Sequence, residues 1–179
     1  MSDKIGAAED PLPLRWLDHV ATAMNVTGSS LILALMVLIG LDVAGRNLLG
    51  APLPGVPEMV SLSIVAIVFL QSPQTLRAGR MPRSTALLDM LTKRSPRLAA
   101  AIEDVWDMIG IGVLATVAWA TWPRLVRDWE RGTFIGAIGD FTAPTWPVKA
   151  TIVAGSVVLV LQFLARIWRR HRIPDGKAQ

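Results

Sequence analysis

Between Val20 and Leu41 the chain runs for 22 residues without one charged side chain. Hydrocarbon takes roughly 20 apolar residues to cross, and it offers no water to unpaired backbone groups, so a crossing segment is helical. Three further runs repeat the pattern: Met59–Leu76 with 18 residues, Met108–Pro123 with 16 and Ala150–Ala165 with 16. The last two reach spanning length with Leu98–Asp107 and Trp146–Lys149 as flanks, because long basic side chains at a helix end reach back to the interface. A soluble bundle would show one apolar stripe per helix and charges opposite it. The overall 52% hydrophobic and 18% charged content suits either class, so the distribution decides.

The expected fold is an all-α integral membrane protein with four transmembrane helices, at about 20–48, 56–78, 98–127 and 146–169. They form one domain, 20–169, between a tail with an interfacial lead-in helix at 1–19 and a C-terminal tail at 170–179. A second surface helix is expected around Leu87, Leu88 and Leu91, with Asp89 and Lys93 on its other face. Met1–Asp18 is polar and mixed in charge, unlike a secretory signal, so the first apolar run is read as a retained helix.

Thirteen of the 18 lysines and arginines fall on the N-terminal tail, the loop between the second and third helices, and the C-terminal tail. Basic residues collect on the cytoplasmic side, so both termini are expected there. Trp16 and Trp168 then fall at the inner boundary and Trp119, Trp122 and Trp146 near the outer one, as an aromatic belt requires. Trp106 falls inside the bilayer, where packing against another helix is expected. The pI near 10.3 and net charge of +4 fit basic loops facing anionic lipid rather than nucleic acid, for which no groove-reading domain exists.

The first two helices are joined by Arg46-Asn47-Leu48-Leu49-Gly50-Ala51-Pro52-Leu53-Pro54-Gly55-Val56-Pro57-Glu58, in which prolines and glycines stop both helices. Asp42 and Arg46, four apart, share a helix face. Glu58 opens the second helix at the favourable end of its dipole. Glu58 could bind a proton or cation during transport, or the three residues could pin the hairpin through an Arg46–Glu58 or Asp42–Arg46 contact. The structural reading is preferred, because both ends of the hairpin lie near water. Pro73 is expected to kink or end the second helix. Glu103, Asp104 and Asp107 are expected to neutralise the basic second loop or meet a partner, and Gln71, Gln74 and Gln162 to hydrogen-bond between helices.

The chain lacks cysteine, which excludes disulfides and thiolate metal sites. His19 and His171, the only histidines, lie outside the expected spans, where they cannot ligate a haem inside the membrane. No phosphate-binding glycine loop or nucleophile–base motif appears. Neither an enzyme nor a cofactor is expected.

Taken together, the hairpin Arg46…Pro52-Leu53-Pro54-Gly55…Glu58, Val68-Phe69-Leu70 leading to Arg77-Ala78-Gly79-Arg80, and Pro144-Thr145-Trp146-Pro147 before the last helix resemble a known family. They are similar to the small, DctQ-like membrane subunit of tripartite ATP-independent periplasmic (TRAP) transporters. The sequence departs at Met81-Pro82, where that family commonly has a histidine and an aliphatic residue. The resemblance implies a non-catalytic subunit of the bacterial inner membrane and two partners. One is a large multi-helix membrane subunit that carries an organic acid and sodium by an elevator movement; the other is a periplasmic substrate-binding protein. It carries Arg46 and Glu58 over as structural or interface residues. Arg124, Arg127, Asp128, Glu130 and Arg131, on the outer loop, are the candidate docking surface for the binding protein. The alternatives are a homodimeric proton-coupled exporter working through Glu58 and an anchor or assembly subunit of another complex.

Overall fold

The computed structural model describes residues 12–78, 96–137 and 141–172. Four long helices dominate: α1 Leu12–Ala44, α2 Val56–Arg77, α3 Pro96–Arg131 and α4 Trp146–Arg172. Among the described residues, three segments are long and apolar enough to cross a membrane: Leu14–Leu49, Val56–Arg77 and Trp146–His171. The third helix is not among them. Its apolar stretch, Met108–Pro123, is bracketed by Glu103, Asp104 and Asp107 on one side and by Arg124 and Arg127 on the other.

α1 starts at Leu12 without a break, so the residues expected as a separate lead-in are its first turns. It passes into one π-helical turn, Gly45–Leu49, closed by Gly50 in the left-handed region at φ 63°. The wider turn ends the helix, and the Ala51 N–H reaches back to the Gly45 carbonyl at 3.3 Å. Gly55, at φ 78°, then launches α2 with Pro57 in its first turn, where a missing N–H costs nothing. Of the two outcomes expected at Pro73, an end to the helix is not seen: α2 continues to Arg77, with Pro73 fully buried.

The helices form a row rather than a closed bundle. α1 packs on α2, α2 on α4, and α4 on α3, with only a short approach of α1 to α4. A glycine marks each neighbouring pair, since absent side chains let backbones approach in lipid. A Cβ on Gly28 of α1 would lie 2.9 Å from Gln71 Cγ of α2. One on Gly155 of α4 would lie 2.6 Å from the Phe69 carbonyl oxygen of α2, and one on Gly110 of α3 would meet the Phe163 ring of α4 at 3.1 Å. The buried core of Leu76, Leu159 and Phe163, flanked by Ile111 and Leu114, sits where α2, α4 and α3 meet.

One element departs from an all-α fold. The segment between α3 and α4 folds back as an antiparallel hairpin, β1 Phe134–Ala137 with β2 Phe141–Pro144, pairing Phe134 with Pro144 and Ala137 with Phe141. β-Branched and aromatic residues at Phe134, Ile135, Phe141 and Thr142 suit a pleated ribbon. Trp106 is also placed differently: it is 66% exposed on α3, not packed against another helix of this chain. The surface helix expected around Leu87–Leu91 lies outside the described residues.

Candidate functional site

Charged side chains gather at the two ends of the row. At one end, Asp18 of α1 is buried, yet it touches two other helices. Arg77 Nε of α2 lies 3.2 Å from one carboxylate oxygen, and Arg169 Nη2 of α4 donates to the other at 3.1 Å. Gln162 Nε2 of α4 adds a hydrogen bond at 3.4 Å, and Arg77 also donates to the Thr22 hydroxyl. Beside this junction α3 meets α4. Arg170 pairs with Glu103, Asp104 and Asp107, Arg166 reaches Glu103 and Asp107 at 3.4 Å each, and His171 approaches Asp104. Asp107 is 2% exposed. The acidic turn of α3, expected to face the second loop or a partner, is thus met by the C-terminal turns of α4. The start of α1 and the end of α4 therefore share one end of the row.

Sequence reasoning missed Asp18, because an acid in a polar lead-in gives no hint of burial. Its i, i+4 spacing from Leu14, on one helix face, is the one available signal. Gln162 makes the interhelical bond expected of it. The Gln71 side chain lies against Gly28, and Gln74 Oε1 is buried with no partner among the described residues.

At the opposite end, Asp42 does two things. Arg46 Nη2 donates to one oxygen at 3.0 Å, and the other accepts the Leu53 N–H at 2.9 Å, eleven residues away. Asp42 thus ties the Pro-Gly turn to α1, which needs its burial, while Arg46 stays exposed. Glu58 is half-buried in the first turn of α2 and joins neither, so the Arg46–Glu58 contact is not formed. The nearer, same-face carboxylate four residues back takes the guanidinium instead.

The five docking candidates, all on α3, separate into two kinds. Arg124, Arg127, Glu130 and Arg131 are exposed on the last turns of α3. Asp128 is buried, pairs with Lys149 of α4 and accepts the Thr145 hydroxyl hydrogen bond. The Lys149 and Thr145 contacts hold its carboxyl below the usual 3.8. A depressed carboxyl contributes stability that is complete above that value and is lost as pH falls through the lower folded one. The neighbouring Trp129 and Trp146 rings stand edge to face at 4.7 Å. Their emission is expected to stay constant above about pH 4 and to shift only below it; a midpoint near neutrality would contradict this tether.

The turn between α1 and α2 and the β-hairpin also touch. Gly55 has no room for a side chain, since a Cβ there would fall 2.0 Å from the Phe141 ring of β2. The Asp42 turn, the β-hairpin and the Arg124–Arg131 face thus form one continuous surface. Arg124, Arg127, Arg131 and Lys149, with Asp128 and Thr133, line a concavity of about 190 Å³ in it.

Long apolar helices side by side, with their charges paired at the two ends, define a multi-pass α-helical membrane protein. Residues 35–172 match the family described as tripartite ATP-independent periplasmic transporters, DctQ component. With 138 of 179 residues matched, the chain belongs to that family. It is a transporter component that works, as the family's description says, within a tripartite system. The match takes in the turn between α1 and α2 and the β-hairpin, and begins after Asp18. No curated protein and no solved structure matches the chain at a significant level.

Proposed function

We propose that the chain is the stationary scaffold of a secondary, sodium-driven TRAP transporter importing an organic acid. In this reading all four helices cross the inner membrane and both termini are cytoplasmic. α3 crosses by tilting or with its ends protruding, since its 36 residues extend about 54 Å. The carrying observation is the ion-pair junction that ties all four helices together at one end. Asp18 links α1 to α2 and α4, and Arg166 and Arg170 link α4 to α3. A subunit clamped in this way suits a frame for a moving partner. Glu58, at the first turn of α2 rather than midway along it, favours this reading over an exporter coupled through that carboxylate. A stoichiometric large multi-helix protein is expected to co-purify from native membranes; a lone homodimer would refute the scaffold.

The outer surface is the proposed docking face for the periplasmic binding protein, with Arg124, Arg127, Glu130 and Arg131 as contacts and Asp128 as their support. Exposed charges of this kind act mainly on encounter rate and its salt dependence. The Arg124→Glu/Arg127→Glu/Arg131→Glu variant is expected to lower uptake by about tenfold at physiological ionic strength, with the membrane complex intact. Uptake equal to wild type, with the complex assembled, would sink the docking assignment.

A further inference from the structure

The concavity of about 190 Å³ at the end of α3 holds more positive charge than the fold calls for. Arg124, Arg127 and Arg131 line it from one helix face, at spacings of three and four, and Lys149 lines it from α4. Its one carboxylate, Asp128, is already engaged by Lys149 and the Thr145 hydroxyl. The three guanidiniums make no ion pair among the described residues, so the lining keeps a net charge of +3. At the opposite end of the row, by contrast, Arg166, Arg169 and Arg170 all meet carboxylates. The helix dipole favours a cation only in the last turn, which accounts for Arg131 and not for Arg124 or Arg127. Arg127 and Arg131, four apart, also repel each other along the helix surface.

The recess is also shaped in advance. Arg127 Nε donates to the Pro123 carbonyl at 3.2 Å, which orients the guanidinium and leaves its two terminal nitrogens as a fork. Gly132, at φ 59°, reverses the chain directly after Arg131, and the Thr133 N–H returns to the Asp128 carbonyl at 3.2 Å to close the wall. A planar fork with two parallel donors matches the edge of an oxyanion. A phosphate carries a charge of about −1.5 to −2 near neutral pH and several acceptor oxygens, a closer match to three guanidiniums than a single carboxylate.

We propose that this recess binds a phosphate group, free or as a monoester, in the forks of Arg124, Arg127 and Arg131. The docking reading uses the same arginines, yet phosphate binding needs no partner protein; tested on the purified chain, either can fail without the other. Thermal unfolding of the full-length protein in detergent, titrated with sodium phosphate against sodium chloride of equal ionic strength, measures binding through the rise in melting temperature. Two charge-assisted contacts put half-saturation on the order of 1 mM, and chloride is expected to give no saturating rise. Arg127→Gln is expected to weaken binding by about tenfold, and Arg127→Lys to weaken it as much, because lysine keeps the charge and loses the fork. Arg15→Gln, which removes an exposed cation at the other end of the row, should leave half-saturation unchanged. Native mass spectrometry with phosphatidic acid against phosphatidylcholine separates the two sources of phosphate. A lipid source would show as phosphatidic acid retained by the wild type and shed by Arg127→Gln, with no response to the free ion. No response in either arm, an equal response to chloride, or wild-type binding by Arg127→Gln or Arg127→Lys overturns the site.

Discussion

Asp18→Ala is expected to destabilise the chain by about 3 kcal/mol, the lower end of what breaking a buried ion pair from one side costs. The substitution removes the carboxylate from a 7%-exposed site and leaves Arg77 and Arg169 facing each other without it. Both guanidiniums are about 30% exposed, and water reaching them keeps the cost from the top of the range. Thermal or detergent-titrated unfolding of the purified protein would measure it. Asp18→Asn separates charge from hydrogen bonding, since it keeps a partner for Gln162 but not the charge. It should lose nearly as much as alanine. Combining Asp18→Leu with Arg77→Met and Arg169→Met should recover most of the loss, because a well-packed apolar substitute rarely costs what a broken pair does. Stability within about 0.5 kcal/mol of wild type in the single alanine variant would show that the junction holds nothing together.

The second large effect is expected at Gly155. Pro73 has no N–H, so the Phe69 carbonyl, four residues earlier, loses its helical donor. That oxygen lies against Gly155, where a Cβ would come within 2.6 Å of it and within 2.8 Å of Phe69 Cβ. Neither helix can yield locally, because the obstacle is backbone. Gly155→Ala should therefore push α4 off α2, at a cost of roughly 1–3 kcal/mol, with Gly155→Val at or above the upper end. Gly112→Ala is the control: nothing lies within 4 Å of its added Cβ, and alanine is the better helix former. A matched pair of melting curves decides the matter. Equal behaviour of Gly155→Ala and Gly112→Ala would refute the close approach.

Much of the helical content is legible in charge-free runs, and the Arg46–Glu58 turn is legible in its prolines and glycines. The order of the helices in the row is not. A helix that is apolar all round carries no stripe to say which face meets which neighbour. The neighbours are instead named by single residues: Gly155 by what it lacks, and Asp18 by a burial that its polar surroundings conceal. The β-hairpin escaped notice for a related reason. Its strands are four residues each, too short for an alternating pattern to stand out beside Gly136 and Gly139. At the candidate docking site, residue type separated nothing. Asp128 and Glu130 are both acids in one turn of helix. Only the arrival of Lys149 and Thr145 from the next element makes the first a support and leaves the second exposed.

The row order also sets a schedule. A ribosome delivers α1, α2, α3 and α4 in that sequence, whereas in space α4 stands between α2 and α3. α1 and α2 can therefore settle as they emerge. α3, the helix carrying Glu103, Asp104 and Asp107, has its packing partner still unsynthesised. Arg166 and Arg170 follow about sixty residues later, so the one long helix outside the three membrane-crossing segments must wait for the last one to slot in beside it.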